Sequence, residues 1–168
     1  MDKEIYRHYG NKQFVRPYFT PVTNRYWGNK PHGGLYACPT KDVDIGWDEW
    51  SKGNDFMTDR LEKHFDFTLK DGAKVLVIKD LKDLDKLPRI DMGDKNLIDT
   101  YCITDMNADI DFEKLSKEYD AMMVWMYRST DIPEEDSFMN GIYYKLYGWD
   151  VDTLLVFNPN IIDVIKED

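Results

Sequence analysis

The chain has 168 residues, 42% of them hydrophobic and 14% aromatic, with a formal net charge of -10 at pH 7. That is enough apolar residue for one domain with its own core, and it excludes a disordered chain or two full-sized domains. The acidic balance argues against nucleic-acid backbones and anionic membranes as default partners, but leaves room for a basic protein or for a nucleic acid met through a local basic patch.

In chain order, Met1-Asp2-Lys3-Glu4 opens on mixed polar residues. The sequence has no signal peptide and no apolar run long enough to span a bilayer, which predicts a cytoplasmic chain with no membrane partner. Glu4 to Gly10 predicts a first strand stopped by Gly10, with Tyr6 and His8 on one face and Ile5, Arg7 and Tyr9 on the other. Residues 11 to 33 carry Pro17, Pro21 and Pro31 among scattered aromatics, which predicts a long ordered loop of the kind used as a lid or binding loop. Arg16, Arg25 and Lys30 give that loop local positive charge.

The pair Gly33-Gly34 lets the backbone approach something closely. It lacks the spacing of a phosphate-binding glycine loop. A short strand from Leu35 to Cys38 follows, with one exposed tyrosine, Tyr36, and Pro39 closes it. Cys38 and Cys102 stand far apart and the three histidines are scattered, so neither a disulfide framework nor a metal site is expected, and Cys38 reads as a small buried residue.

Asp44 to Trp50 opens a short helix whose Trp47 and Trp50 share a face and read as core. Phe65 to Leu69 and Lys74 to Ile78 read as strands joined at Asp71-Gly72 into a hairpin. Leu81, Leu84 and Leu87 mark a short helix stopped by Pro88. Asp111 caps a helix running to Glu118, and Ala121 to Met126 is a strongly apolar strand. Residues 128 to 147 predict a second long loop.

Thr153 to Phe157 is a buried strand ended by Asn158-Pro159-Asn160. Asp150 and Asp152 stand at its entry. If the strand has begun there, both point to one face; if not, they lie in a loop against a rigid sheet. A solvated polar lead-in is the plain alternative to a chemical role. Short strands, aromatic loops and two or three helices, without regular alternation, predict a single α+β domain over residues 1–168.

Three elements stand out together: His8 in the first strand, Tyr36 after a glycine turn, and Asp152 at the entry of the last apolar strand. Arg7-His8-Tyr9-Gly10, Gly34-Leu35-Tyr36-Ala37, Tyr119-Asp120-Ala121-Met122 and the run from Asp152 to Ile161 resemble, in that order, the motifs of the ADP-ribosyltransferase fold. The branch resembled has a His–Tyr–acid triad, as in diphtheria-like toxins and poly-ADP-ribose polymerases, and small phage-encoded anti-CRISPR members are of similar size. Two departures stand out. The acid is aspartate where the family usually has glutamate, and Tyr9 follows the histidine where the family often has a small residue.

The resemblance implies an ADP-ribosyltransferase-like split sheet with short flanking helices. It implies NAD as substrate, and transfer of ADP-ribose to a protein or nucleic-acid acceptor with release of nicotinamide. His8 would hydrogen-bond the adenosine-side ribose, Tyr36 would stack on the cationic nicotinamide ring, and Asp152 would accept the ribose 2′-hydroxyl and stabilise the oxocarbenium-like charge. Asp150 resembles the upstream acid that activates an acceptor. Tyr9 and Gly34 belong to the cofactor-binding segments, and Arg7, Arg25 and Lys30 are candidates for the pyrophosphate. Two other functions fit the same features: a non-enzymatic acidic module that binds a host or phage protein, and an NAD glycohydrolase with water as acceptor.

Overall fold

The computed structural model describes residues 3–25, 28–43, 45–91, 110–126 and 142–165. Seven short strands form one sheet: β1 (Tyr6–Tyr9), β2 (Leu35–Pro39), β3 (His64–Leu69), β4 (Val75–Ile78), β5 (Ala121–Val124), β6 (Thr153–Val156) and β7 (Ile162–Val164). Their order across the sheet is β4-β5-β6-β2-β1-β3-β7, and only β4 and β5 run parallel. Among the described residues, four short helices accompany them: α1 (Trp47–Gly53), α2 (Leu81–Asp85), α3 (Phe112–Glu118) and α4 (Ile142–Lys145). The fold is α+β. Among the described residues, no helix is long and apolar enough to cross a membrane.

The apolar run of β5 is buried on both faces, as a central strand with covered faces should be. Met122 and Val124 enter one buried cluster with Leu155 of β6, Leu84 of α2, Phe112 and Leu115 of α3, and Trp149. Ala121 and Met123 enter the other with Leu154, Val156, Tyr6 and Phe67. α2, α3 and α4 therefore pack into the cluster on one face of the sheet. Asp111 caps α3 by accepting from Lys114 N at 3.0 Å, as its position predicts. Asn24, from the long loop, adds a second cap, accepting from Phe112 N at 2.8 Å.

The expected β3–β4 hairpin does not form. Gly72 turns the chain with φ of +83°, but β3 then pairs with β1 and β7, while β4 becomes the far edge of the sheet beside β5. Asp120 explains the attachment of β4. Its carboxylate accepts from Lys74 N at 2.9 Å, and its amide donates to Lys74 O at 2.8 Å. β7 went unread in the sequence because three residues with two exposed side chains carry no periodic signal.

The described part of the long first loop, 11–25 and 28–33, contains a 3-10 turn at Arg16–Tyr18. The second loop, residues 128 to 147, falls largely outside the described residues, as does Cys102.

The middle of the sheet is where it parts. β1 and β2 pair only at Tyr6↔Pro39 and Arg7↔Cys38. β1 pairs along its whole length with β3, whereas β2 gives Leu35, Tyr36 and Ala37 to β6. From His8 onward the two halves of the sheet are therefore no longer joined by a ladder.

Candidate functional site

His8 occupies the point of divergence. Its Nδ1 lies 2.7 Å from the Tyr36 carbonyl. A carbonyl only accepts, so Nδ1 carries the proton, and the Asn11 amide donates to the bare Nε2 at 3.2 Å. Burial lowers the imidazole pKa, against the smaller opposing effect of the Tyr36 carbonyl. His8 is thus a neutral ring with a fixed tautomer, held rigidly between two strands.

Tyr36 is half-buried, not exposed as its strand position suggested. Its hydroxyl donates to Pro31 O at 2.8 Å, and burial raises its pKa. Trp149 meets the ring edge-on at 5.7 Å and is itself fixed by donating Nε1–H to Asn29 O at 2.7 Å. Lys30 sits over the Tyr36 ring at 5.5 Å and donates to Gly148 O.

A cavity of about 300 Å³ opens beside these groups. Arg7, His8, Tyr9, Tyr36, Cys38 and Thr153 line it from the sheet, and Lys30 and Trp149 from the loops. The segment 47–60 completes it with Trp47, Phe56, Met57 and Arg60. A wider, more open cavity of about 650 Å³ adjoins His8 and includes Asn11, Phe14, Tyr18, Phe19 and Gly34. His8 is common to both.

Six of the nine residues chosen from the sequence therefore line one or other cavity: Arg7, His8, Tyr9, Lys30 and Tyr36 the narrower, and Gly34 the wider, with His8. The two acids do not. Asp150 takes a left-handed backbone, φ +56°, and β6 begins only at Thr153, so the two-residue spacing does not put both carboxylates on one face. Asp152 is 2% exposed, and its Oδ1 accepts from Met126 N at 2.6 Å. At the entry of β6 the residue that reaches the cavity is Thr153, whose hydroxyl donates to Val151 O at 2.7 Å. Both acids still act on the cavity wall through charge. Asp150 lies near Lys30 and Asp152 near Cys38, and each influences its neighbour's ionisation. Burial raises the pKa of Asp150, and Lys30 opposes the rise.

The cations are also sorted by geometry. Arg7 is bound in two-point fashion to Asp66, at 2.7 and 2.8 Å, and Asp66 holds its pKa above the ordinary value. Arg25 contacts His32 at 2.8 Å and lies outside both cavity walls. The Cys38 thiol is pushed up to about 12 by burial, so it is protonated at neutral pH and is no nucleophile. Among the described residues, no three His, Cys, Asp or Glu side chains gather where they could hold a metal ion.

Trp47 and Trp149 are the wall residues that sequence reasoning missed. Trp47 and Trp50 stack at 5.2 Å, as their spacing requires, but neither belongs to a buried cluster, and Trp47 faces the cavity. The available signal was the shortness of α1: a seven-residue helix that fully buries only Ser51 has no core to give two indoles to. Trp149 was passed over for the acid beside it.

No family model, curated protein or solved structure matches this chain.

Proposed function

We propose that the chain has an ADP-ribosyltransferase-like split sheet, binds NAD where β1 and β2 part, and transfers ADP-ribose to a macromolecular acceptor with release of nicotinamide. The observation that carries this reading is the parting itself. A His–Tyr–acid site needs the histidine strand and the tyrosine strand to open a cleft between them. Here the ladder stops after Arg7↔Cys38, and the His8 ring bonds the Tyr36 carbonyl beyond it. Aromatic walls and a half-buried, neutral imidazole suit a dinucleotide, which offers flat rings and ribose hydroxyls.

In the proposed complex the nicotinamide half enters the narrower cavity, against Tyr36, Trp47 and Trp149. The adenosine half lies in the wider one, where its ribose hydroxyl donates to His8 Nε2 in place of the Asn11 amide. Cleavage breaks the bond from ribose C1′ to the nicotinamide nitrogen. The bonding pair leaves with nicotinamide, which becomes neutral, and the ribose becomes an oxocarbenium-like cation that the acceptor nucleophile captures. Asp152 stabilises that cation through its field at the cavity floor, without contact. Lys30, already above Tyr36, disfavours the bound pyridinium relative to the neutral product.

The reading is tested by incubating the pure protein with adenine-labelled NAD, with and without cell lysate, then separating nicotinamide from labelled macromolecules. Release of nicotinamide with lysate-dependent label on a macromolecule is expected. Free ADP-ribose with no labelled acceptor indicates a glycohydrolase. No nicotinamide in any lysate overturns the reading and leaves a binding module.

His8 also sets a pH dependence. Burial holds its folded pKa below the ordinary imidazole value of 6.5, so the neutral acceptor form predominates at and above that pH. NAD affinity is expected to be flat above 6.5 and to fall as pH drops through the lowered His8 pKa, where Nε2 becomes a donor. Stability follows the same sign, because protonation favours the unfolded chain. A binding titration from pH 4.5 to 8 on the parent and His8→Gln checks this: the acid-side loss should vanish in the variant.

A further inference from the structure

We propose that Arg60 is the phosphate-reading residue of the narrower cavity, and that the ligand class this cavity takes is a nucleoside carrying a phosphate. Three cations line that cavity. Arg7 is spent on Asp66 through two short bonds, and Lys30 donates to Gly148 O beside Asp150. Arg60 alone carries no side-chain hydrogen bond or ion pair among the described residues. The sequence reading put the phosphate on Arg7, Arg25 or Lys30, and the geometry leaves it to Arg60.

Its placement is built into the chain. Met57 and Asp55 both hold left-handed backbones, φ +53° and +50°, each at a cost of about 1–2 kcal/mol for a residue with a side chain. Those two turns lead the chain from α1 into the 3-10 turn Thr58–Arg60. Lys63 O then accepts from Gly10 N at 2.6 Å, which pins this segment to the end of β1. Gly10 lies alongside the arginine stem: a Cβ there would be in ordinary contact with Arg60 Cδ, at 3.9 Å. Arg60 thereby lines a wall that also carries Trp47, Phe56 and Tyr36. A planar five-donor fork matches a phosphate, and the aromatic wall matches a base or pyridine ring. In a chain of net charge -10, an arginine without a side-chain partner at a cavity wall supplies positive charge that the acidic remainder of the chain does not.

This inference shares its cavity with the proposed transfer reaction but does not need its chemistry. Calorimetric titrations of the full chain and of Arg60→Gln with two probe pairs separate them: nicotinamide mononucleotide against nicotinamide riboside, and AMP against adenosine. Arg60 is exposed, so the variant keeps the fold, which its melting curve verifies. The expected result is that the parent binds at least one phosphorylated probe about tenfold or more tightly than its nucleoside, that Arg60→Gln abolishes this difference while nucleoside affinity stays put, and that the salt dependence weakens by about one charge. The inference is overturned if the parent does not distinguish phosphate from nucleoside in either pair, or if Arg60→Gln retains the distinction. A response confined to the AMP pair supports Arg60 and counts against the NAD reading. NMN discrimination that survives in Arg60→Gln does the reverse.

Discussion

Replacing Asp152 by asparagine is expected to slow nicotinamide release by about 10²–10³-fold while leaving the fold intact. The argument turns on separating two things this carboxylate does. Its Oδ1 accepts from Met126 N at 2.6 Å, which ties the entry of β6 to the chain just past β5. Its charge also reaches the cavity wall, where it acts on Cys38. Asparagine keeps an oxygen for the Met126 amide and removes the charge. Alanine removes both, and orphaning the amide of Met126, a residue 4% exposed, costs about 1–3 kcal/mol, or roughly 2–10 °C in melting temperature for a chain this size. Calorimetry and nicotinamide release on both variants therefore sort the roles. Loss of turnover in Asp152→Asn at parental stability supports the charge role. Parental turnover in Asp152→Asn, with destabilisation only in Asp152→Ala, reduces Asp152 to a structural anchor and removes the acid from the proposed mechanism.

The strands that build the centre were legible because each satisfies a local rule. β5 is a run of apolar residues buried on both faces, β6 is a β-branched run closed by Pro159, and β2 lies between a glycine pair and a proline. What local pattern does not encode is the partner. Asp71-Gly72 has the chemistry of a hairpin turn, and Gly72 does turn the chain, but the Asp120 carboxylate wins β4 for β5. The placement of the acids stayed open in the sequence for a related reason. A two-residue spacing implies a shared face only if the backbone is extended, and Asp150 adopts φ of +56°, a conformation that sequence alone signals weakly for aspartate. His8 and Tyr36 were chosen from type and order. Their direct link, ring to carbonyl, depends on a ladder that ends at Arg7↔Cys38, and strand ends of that precision are beyond pattern reading. Trp47 was assigned to the core because tryptophan pairs usually pack there, and the structure turns it to the cavity because α1 is too short and too thinly covered to bury it.

Gly33→Ala is expected to be the most destabilising single change near the site, by more than about 4 kcal/mol. Gly33 has φ of +71°, and a Cβ there would stand 2.1 Å from Pro21 O and 2.8 Å from both Pro21 C and Thr20 O. All three are backbone atoms, and the neighbouring peptide is fixed to the same strand of loop by the bond from Gly34 N to Thr20 O at 2.8 Å. Nothing nearby can rotate away. Gly34→Ala is milder, because its closest clash, 2.6 Å, is with the Leu155 Cδ1 methyl at the end of a flexible side chain. Gly72→Ala is the control: φ is +83°, but nothing lies within 4 Å of the added methyl, so only the left-handed strain of about 1–2 kcal/mol remains. Melting temperatures should fall by about 10 °C or more for Gly33→Ala and by only a few degrees for Gly72→Ala. Similar losses in the two would mean that strain alone, not the packing of the long loop on the glycine pair, sets the cost. The consequence reaches the site because Tyr36 follows three residues after Gly33, and its hydroxyl returns to Pro31 O on the other side of the pair. A Gly33→Ala chain that still folded would carry Tyr36 out of register with His8, so its NAD affinity should fall further than that of Gly72→Ala at a temperature where both are native.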